Sequence, residues 1–309
     1  MTLSTQTKGV YAIAPTPFLP DGALDETSVG RVTEFYAEAG VDGITILGIM
    51  GEAQKLEPEE SLEIVRRVIA SAGGLPIVVG VSAPGFAAMR RLAQQAMSEG
   101  AAGVMIAPPA AMRTDDQIAG YFSQAVAAVG EDVPFVLQDH PQVTTVQMAP
   151  KVVRRIIEEN PSCVMLKHED WPGLEKITAL RNWQGEGSMR PISILCGNGA
   201  LFLDFEMRRG ADGAMTGYAF PEMLIDVVRH SAAGDVDAAH DIFDAHLPLL
   251  RYEQQPVVGL AIRKHVLQRR GVIAHETLRR PGAGLSSAAR AEIDYLLRRV
   301  ARSDRRAAL

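Results

Sequence analysis

The chain has 309 residues, 47% of them hydrophobic and 22% charged, which is too apolar for disorder and long enough to build a large core without disulfide staples. Its 31 Lys and Arg against 37 Asp and Glu leave a net charge of −6, which argues against general nucleic-acid binding. No apolar run reaches the ~18 residues of a membrane span, no charged and apolar leader opens the chain, and both cysteines, Cys163 and Cys196, sit in apolar runs. The expectation is a cytoplasmic protein with reduced thiols, no membrane contact and no nucleic-acid partner.

In chain order, short and mostly apolar runs at 10–14, 44–47, 77–81, 104–107, 135–137, 164–166, 192–195 and 214–216 predict strands buried on both faces. Helix-length stretches at 59–72, 115–129 and 150–159 alternate with them. In the first, Leu62, Val65, Val68 and Ile69 form the apolar stripe of a sheet-covering helix. Three segments, AGVDGITIL (39–47), EGAAGVMIA (99–107) and RGADGAMTG (209–217), repeat one junction in which a helix ends on glycine and a second glycine opens the next strand. Eight strands alternating with helices predict an α/β fold, a (β/α)8 TIM barrel. Helical patterns at 221–233, 236–250, 257–268 and 287–300 follow with no strand among them. The predicted organisation is a barrel over 1–233 and a C-terminal helical extension over 234–309 that packs on it.

Catalytic groups of such barrels gather at the C-terminal ends of the strands. Those ends read Gly48-Ile49-Met50-Gly51-Glu52, Gln138-Asp139-His140-Pro141, Lys167-His168-Glu169, Gly197-Asn198-Gly199 and Thr216-Gly217-Tyr218. Lys167 leaves the apolar run CVML at the barrel mouth, where an ammonium is poorly solvated and the neutral, nucleophilic amine is favoured. Such an amine forms a Schiff base with a ketone or aldehyde, and the imine then draws electrons from the neighbouring carbon. The plainer alternative is a lysine paired with Glu169 or Asp170. Asp139, His140 and His168 lack HxH or HxxxH spacing, so no metal is expected and the chemistry falls to ordinary side chains. Glu52 is expected to hold its loop through backbone N–H bonds. Arg263, Lys264, Arg269 and Arg270, and the Arg279-Arg280 pair, read as a solvated helix face or a subunit contact.

With Lys167 in place, the chain resembles the dihydrodipicolinate synthase / N-acetylneuraminate lyase family over about residues 8–300. The resemblance rests on Ala14-Pro15-Thr16-Pro17-Phe18, Gly48-x-x-Gly51-Glu52, Pro108-Pro109, Pro141, Lys167 and Gly210-x-x-Gly213. It implies Lys167 as the imine lysine, no other cofactor, a 2-keto acid as the small-molecule substrate, and a homotetramer built as a dimer of dimers.

The departures bear on substrate and proton transfer. Hydroxyl residues usual in the family's Gly-x-x-Gly-Glu loop are Ile49 and Met50 here, leaving backbone N–H groups from Gly48 onward for the keto-acid carboxylate. The Tyr-Asn-x-Pro motif that carries the family's proton-shuttling phenol reads Gln138-Asp139-His140-Pro141. An aromatic pair after the strand-4 prolines is Ala110-Ala111, and an arginine used for a dicarboxylate is Val143. The stretches 138–141, 213–217, 271–274 and 278–281 are similar to the branch of 2-keto-3-deoxy-L-arabonate dehydratases. The expected reaction is therefore dehydration of a 2-keto-3-deoxy sugar acid through a Lys167 imine. Asp139, His140 or His168 would supply acid–base work, Asn198 and Thr216 would contact substrate hydroxyls, and Gln138 would bind a carboxylate or water. Pyruvate-dependent aldol chemistry through the same imine, or a non-catalytic keto-acid-binding barrel, are the alternatives.

Overall fold

The computed structural model describes residues 2–171 and 173–309. Its strands are β1 (Gly9–Ile13), β2 (Gly43–Ile46), β3 (Ile77–Gly80), β4 (Gly103–Ile106), β5 (Phe135–Asp139), β6 (Cys163–His168), β7 (Ser193–Cys196) and β8 (Gly213–Thr216). All neighbours pair in parallel, and β8 returns to β1 to close the barrel in sequence order. The outer layer holds α1 (Glu26–Ala39), α2 (Pro58–Ser71), α3 (Phe86–Glu99), α4 (Asp115–Val129), the single turn α5 (Pro141–Thr144), α6 (Pro150–Glu159), α7 (Leu174–Gly185), α8 (Leu203–Arg208) and α9 (Pro221–Ala232). Three further helices follow: α10 (Val236–Glu253), α11 (Gly259–Arg269) and α12 (Ser287–Val300).

Every predicted strand is present, with shifted ends. β1, β2, β4 and β8 each begin one residue earlier, on a glycine. At Gly213 the reason is contact: φ is +151° and an added Cβ would lie 1.9 Å from the carbonyl oxygen of Gly9 on β1. β5 and β6 run two residues past their apolar stretches, because the ladder continues through Gln138↔Lys167 and Asp139↔His168. Polar residues in these last positions hid the strands' true length.

Two cores result from the period-two alternation of the strands. Tyr11, Ile13, Val78, Met105, Val136, Met165, Leu195 and Met215 point inward and fill the barrel, while the alternate residues pack against the helices. No helix among the described residues is long and apolar enough to cross a membrane.

The basic cluster is not a solvated face. Arg263 and Lys264 on α11 are 1% and 0% exposed, and each is matched by a carboxylate from another element: Arg263 Nε donates to Glu253 Oε1 at 2.6 Å, and Lys264 Nζ to Glu52 Oε1 at 2.6 Å. Arg270 pairs with Glu222 and lies over the rings of Phe35 and Phe220. Arg279 pairs with Glu60 and covers Phe18. Arg269 alone of the four stays near the surface, paired with Asp294. A helix with charges all round reads as exposed unless the distant partners are known, and those partners are 10 to 212 residues away in sequence.

Candidate active site

Alternation along β5 and β6 decides which polar residues enter the barrel mouth. Two and four residues beyond the inward-facing Met165 come Lys167 and Glu169; two and four beyond Val136 come Gln138 and His140. All four line one cavity of about 920 Å³ at the C-terminal end of the barrel. Lys167 Nζ lies 3.1 Å from Glu169 Oε2, and both side chains are buried. The same oxygen accepts from Gln138 Nε2 at 2.7 Å, and Glu169 Oε1 accepts from the Asn198 amide at 3.2 Å. His140 Nδ1 stands 3.7 Å from Oε2, close enough for Coulombic coupling but beyond a hydrogen bond. Burial pushes the Glu169 carboxyl up, but Lys167, then His140 and Gln138, outweigh it and hold the group below its ordinary range. Burial, with Lys167 behind it, pulls the His140 imidazole down, and Glu169 opposes it.

Glu169 is the hub that the sequence did not single out, where it stood only as a partner for Lys167. Its signal was there: it lies two residues after a lysine on a strand, hence on the same face. Gly197 makes room for it, since a Cβ there would come within 2.4 Å of Glu169 Cγ.

The same alternation removes two expected catalytic residues from the cavity. Asp139 and His168 are register partners on the outward faces of β5 and β6 and are both fully buried between sheet and helices. Lys176 of α7 donates to Asp139 Oδ2 at 2.6 Å and sits 2.8 Å from Asp170. Burial raises the Asp139 carboxyl to about 6 against the pull of Lys176. Burial, reinforced by Lys176, lowers the His168 imidazole to about 4. Neither lines the cavity.

The strand-2 loop forms a short turn, Ile49–Gly51, whose first closed bond runs from the Gly51 amide to the Gly48 carbonyl. Ile49 and Met50 line the cavity, while Gly48 packs beneath them near Met105, and Gly51 takes a 2.6 Å bond from Thr16 Oγ1 onto its carbonyl. Glu52 anchors the turn differently from expectation. It accepts from Lys264 Nζ at 2.6 Å, from Lys55 Nζ at 2.8 Å and from one distant amide, that of Arg279, at 3.1 Å. Burial brings Lys264 down to about 8 against the attraction of Glu52. Glu52→Ala leaves this ammonium buried and unpaired, and is expected to cost about 3–5 kcal/mol in urea unfolding. The paired replacement Glu52→Leu with Lys264→Met should recover most of that loss.

Asn198 and Thr216 line the cavity on the β7–β8 side, together with Gly217, Gln254 and Arg263. The cavity's lining also includes exposed apolar side chains: Ile49, Val143 and Trp171 are 36%, 47% and 44% exposed. Among the described residues no group of three or more His, Cys, Asp or Glu side chains is arranged to hold a metal ion.

Known proteins match this chain over most of its length. A family model described as the dihydrodipicolinate synthetase family covers residues 6–300. An L-2-keto-3-deoxyarabonate dehydratase of Azospirillum brasilense is 29% identical over 298 residues, spanning 95% of this chain and 94% of the relative. A probable 2-dehydro-3-deoxy-D-pentonate aldolase of Escherichia coli is 27% identical over 264 residues, 82% of this chain and 84% of that protein. A crystal structure described as dihydrodipicolinate synthase from Rhodopseudomonas palustris superposes with a TM-score of 0.96 at 60% identity, covering 97% of this chain and 99% of the other. Family members are lyases, both aldolases and dehydratases, that work through a Schiff-base lysine. A closed eight-stranded barrel with a lysine and a carboxylate at its mouth and a family match across nearly all of its length give one conclusion: the chain is a lyase that belongs to the dihydrodipicolinate synthetase family.

Proposed function

We propose that the chain dehydrates a 2-keto-3-deoxy sugar acid through an imine on Lys167. The observation that carries this reading is the Glu169 carboxylate, 3.1 Å from the Lys167 amine in a buried cavity whose strand-5 motif lacks the family's tyrosine. Lys167 adds to the C2 carbonyl and releases water, forming the protonated imine. Glu169, held ionised, takes a proton from C3, and that C–H pair becomes the enamine double bond. The enamine then expels the C4 hydroxyl, which leaves as water on taking a proton from Glu169 or through His140. In a five-carbon acid the conjugated imine then loses a proton from C5 and regains one at C3, which leaves the enol of a C5 aldehyde; hydrolysis of the imine returns Lys167 and frees the 2-keto semialdehyde. The N–H groups of Ile49 and Met50 receive the C1 carboxylate, since neither side chain can donate. Asp139, Lys176 and His168 support β5 and β6 from outside the cavity.

Aldol cleavage would start from the same imine, and the name of the E. coli relative keeps it in view. Incubation with a racemic 2-keto-3-deoxypentonate separates the two. A 2-keto semialdehyde supports dehydration, whereas pyruvate with a two-carbon aldehyde replaces that reading with an aldolase. The family resemblance also carries a homotetramer, and sedimentation at about four times the 33.3 kDa chain mass would support the assembly.

A further inference from the structure

Two donors at the far end of the cavity have no acceptor. Arg263 is 1% exposed; its Nε and Nη2 are spent on Glu253 Oε1 at 2.6 Å and the Gly217 carbonyl at 2.5 Å, but Nη1 is buried and unpartnered. Gln254 Nε2 is likewise buried with no partner. A buried donor without an acceptor costs free energy, and of the buried side-chain atoms without a partner among the described residues only these two and His140 Nδ1 belong to residues that line the cavity.

The backbone has been cleared to admit them. An added Cβ on Gly217, at the end of β8, would come 2.0 Å from Arg263 Nη1, and one on Gly199, after β7, 1.9 Å from the Gln254 carboxamide carbon. Side chains from the C-terminal helices thus occupy the places where strand-end side chains would project. Both residues line the same cavity as Lys167, Asn198 and Thr216.

We propose that Arg263 and Gln254 form a subsite for an uncharged oxygen on the tail of the substrate, a hydroxyl beyond the carbon that loses water. This rests on the reading of Lys167 as the imine lysine. Both unpartnered atoms are donors, so the ligand atom they hold must be an acceptor. The guanidinium is already neutralised by Glu253, which favours a hydroxyl oxygen over a second carboxylate. A tail lacking that oxygen leaves both donors unpaired, the situation in which hydrogen-bonding sites discriminate strongly.

The test uses the full-length protein, borohydride trapping and three acids that cannot lose a C4 hydroxyl: 2-oxopentanoate, 5-hydroxy-2-oxopentanoate and 2-oxoglutarate. The concentration giving half-maximal adduct is measured for each. The hydroxylated acid should bind about tenfold or more tighter than 2-oxopentanoate, and Gln254→Leu and Arg263→Lys should each bring that ratio close to one. Arg263→Lys keeps a cation for Glu253, and adduct yield with 2-oxopentanoate reports whether each variant remains folded. A wild-type ratio near one, or a ratio unchanged in both variants, overturns the subsite while leaving the imine standing. Tighter binding of 2-oxoglutarate than of the hydroxylated acid overturns the preference for a neutral tail. No adduct from the wild-type protein with any of the acids overturns the imine reading and the subsite with it.

Discussion

Lys167→Ala should lose turnover by roughly 10⁵-fold or more, the scale on which removal of a covalent nucleophile is felt. Wild-type protein treated with pyruvate or a 2-keto-3-deoxy acid and then borohydride should gain one reduced adduct, mapped by mass spectrometry to Lys167. The variant should gain none. Chemistry supports this position over the cavity's other lysine, Lys55, which is committed to Glu52 and to the Arg279 carbonyl, both at 2.8 Å. Lys264 is 0% exposed and closed in by Glu52 and the Thr277 carbonyl. An adduct mapped to either of these, or one that survives in Lys167→Ala, would falsify the assignment. Circular dichroism of the variant guards against a trivial loss of fold, because Glu169 keeps its bonds from Gln138 and the Asn198 amide.

Glu169→Gln carries the second large effect. The amide is nearly isosteric but cannot take the C3 proton, so kcat should fall by roughly 10²–10⁴-fold. Imine trapping should persist, since Lys167 remains at the mouth. That split separates a proton-transferring carboxylate from one that merely seats the lysine, for which adduct formation and kcat would fall together. The pH profile gives an independent readout. A general base works only when deprotonated, so activity is lost as pH falls through its pKa. Burial raises Glu169, but Lys167, His140 and Gln138 lower it further, which sets the acid limb of kcat/KM below the ordinary carboxylate value of 4.5. An acid limb near 6 or higher would assign the base elsewhere and sink the role given to Glu169.

The fold was legible because its signals are local. Each strand announces itself as a short apolar run, and the junctions at Gly40, Gly100 and Gly210 close three helices in the left-handed conformation, with φ of 86°, 104° and 96°. The position of Lys167 followed from the same logic, as the first polar residue after an apolar strand. The assignment of its neighbours did not. Asp139 and His168 have the right chemistry for acid–base work, yet a register of period two turns both outward. The strands' polar final residues obscured where the alternation ran, so composition of the strand ends outweighed phase.

What the sequence by itself determined is therefore the barrel, the place of Lys167 at a strand end and the family pattern, each read from motifs of a few neighbouring residues. The tertiary structure decided the company that lysine keeps. Gln138 reaches Glu169 across 31 positions, Lys264 reaches Glu52 across 212, and Arg263 reaches the Gly217 carbonyl across 46. Charges that read as solvent-facing in a single helix became buried once closure of the barrel brought distant carboxylates against them. Coulombic pairing in a low-dielectric interior is set by through-space distance, and chain separation carries little of that information.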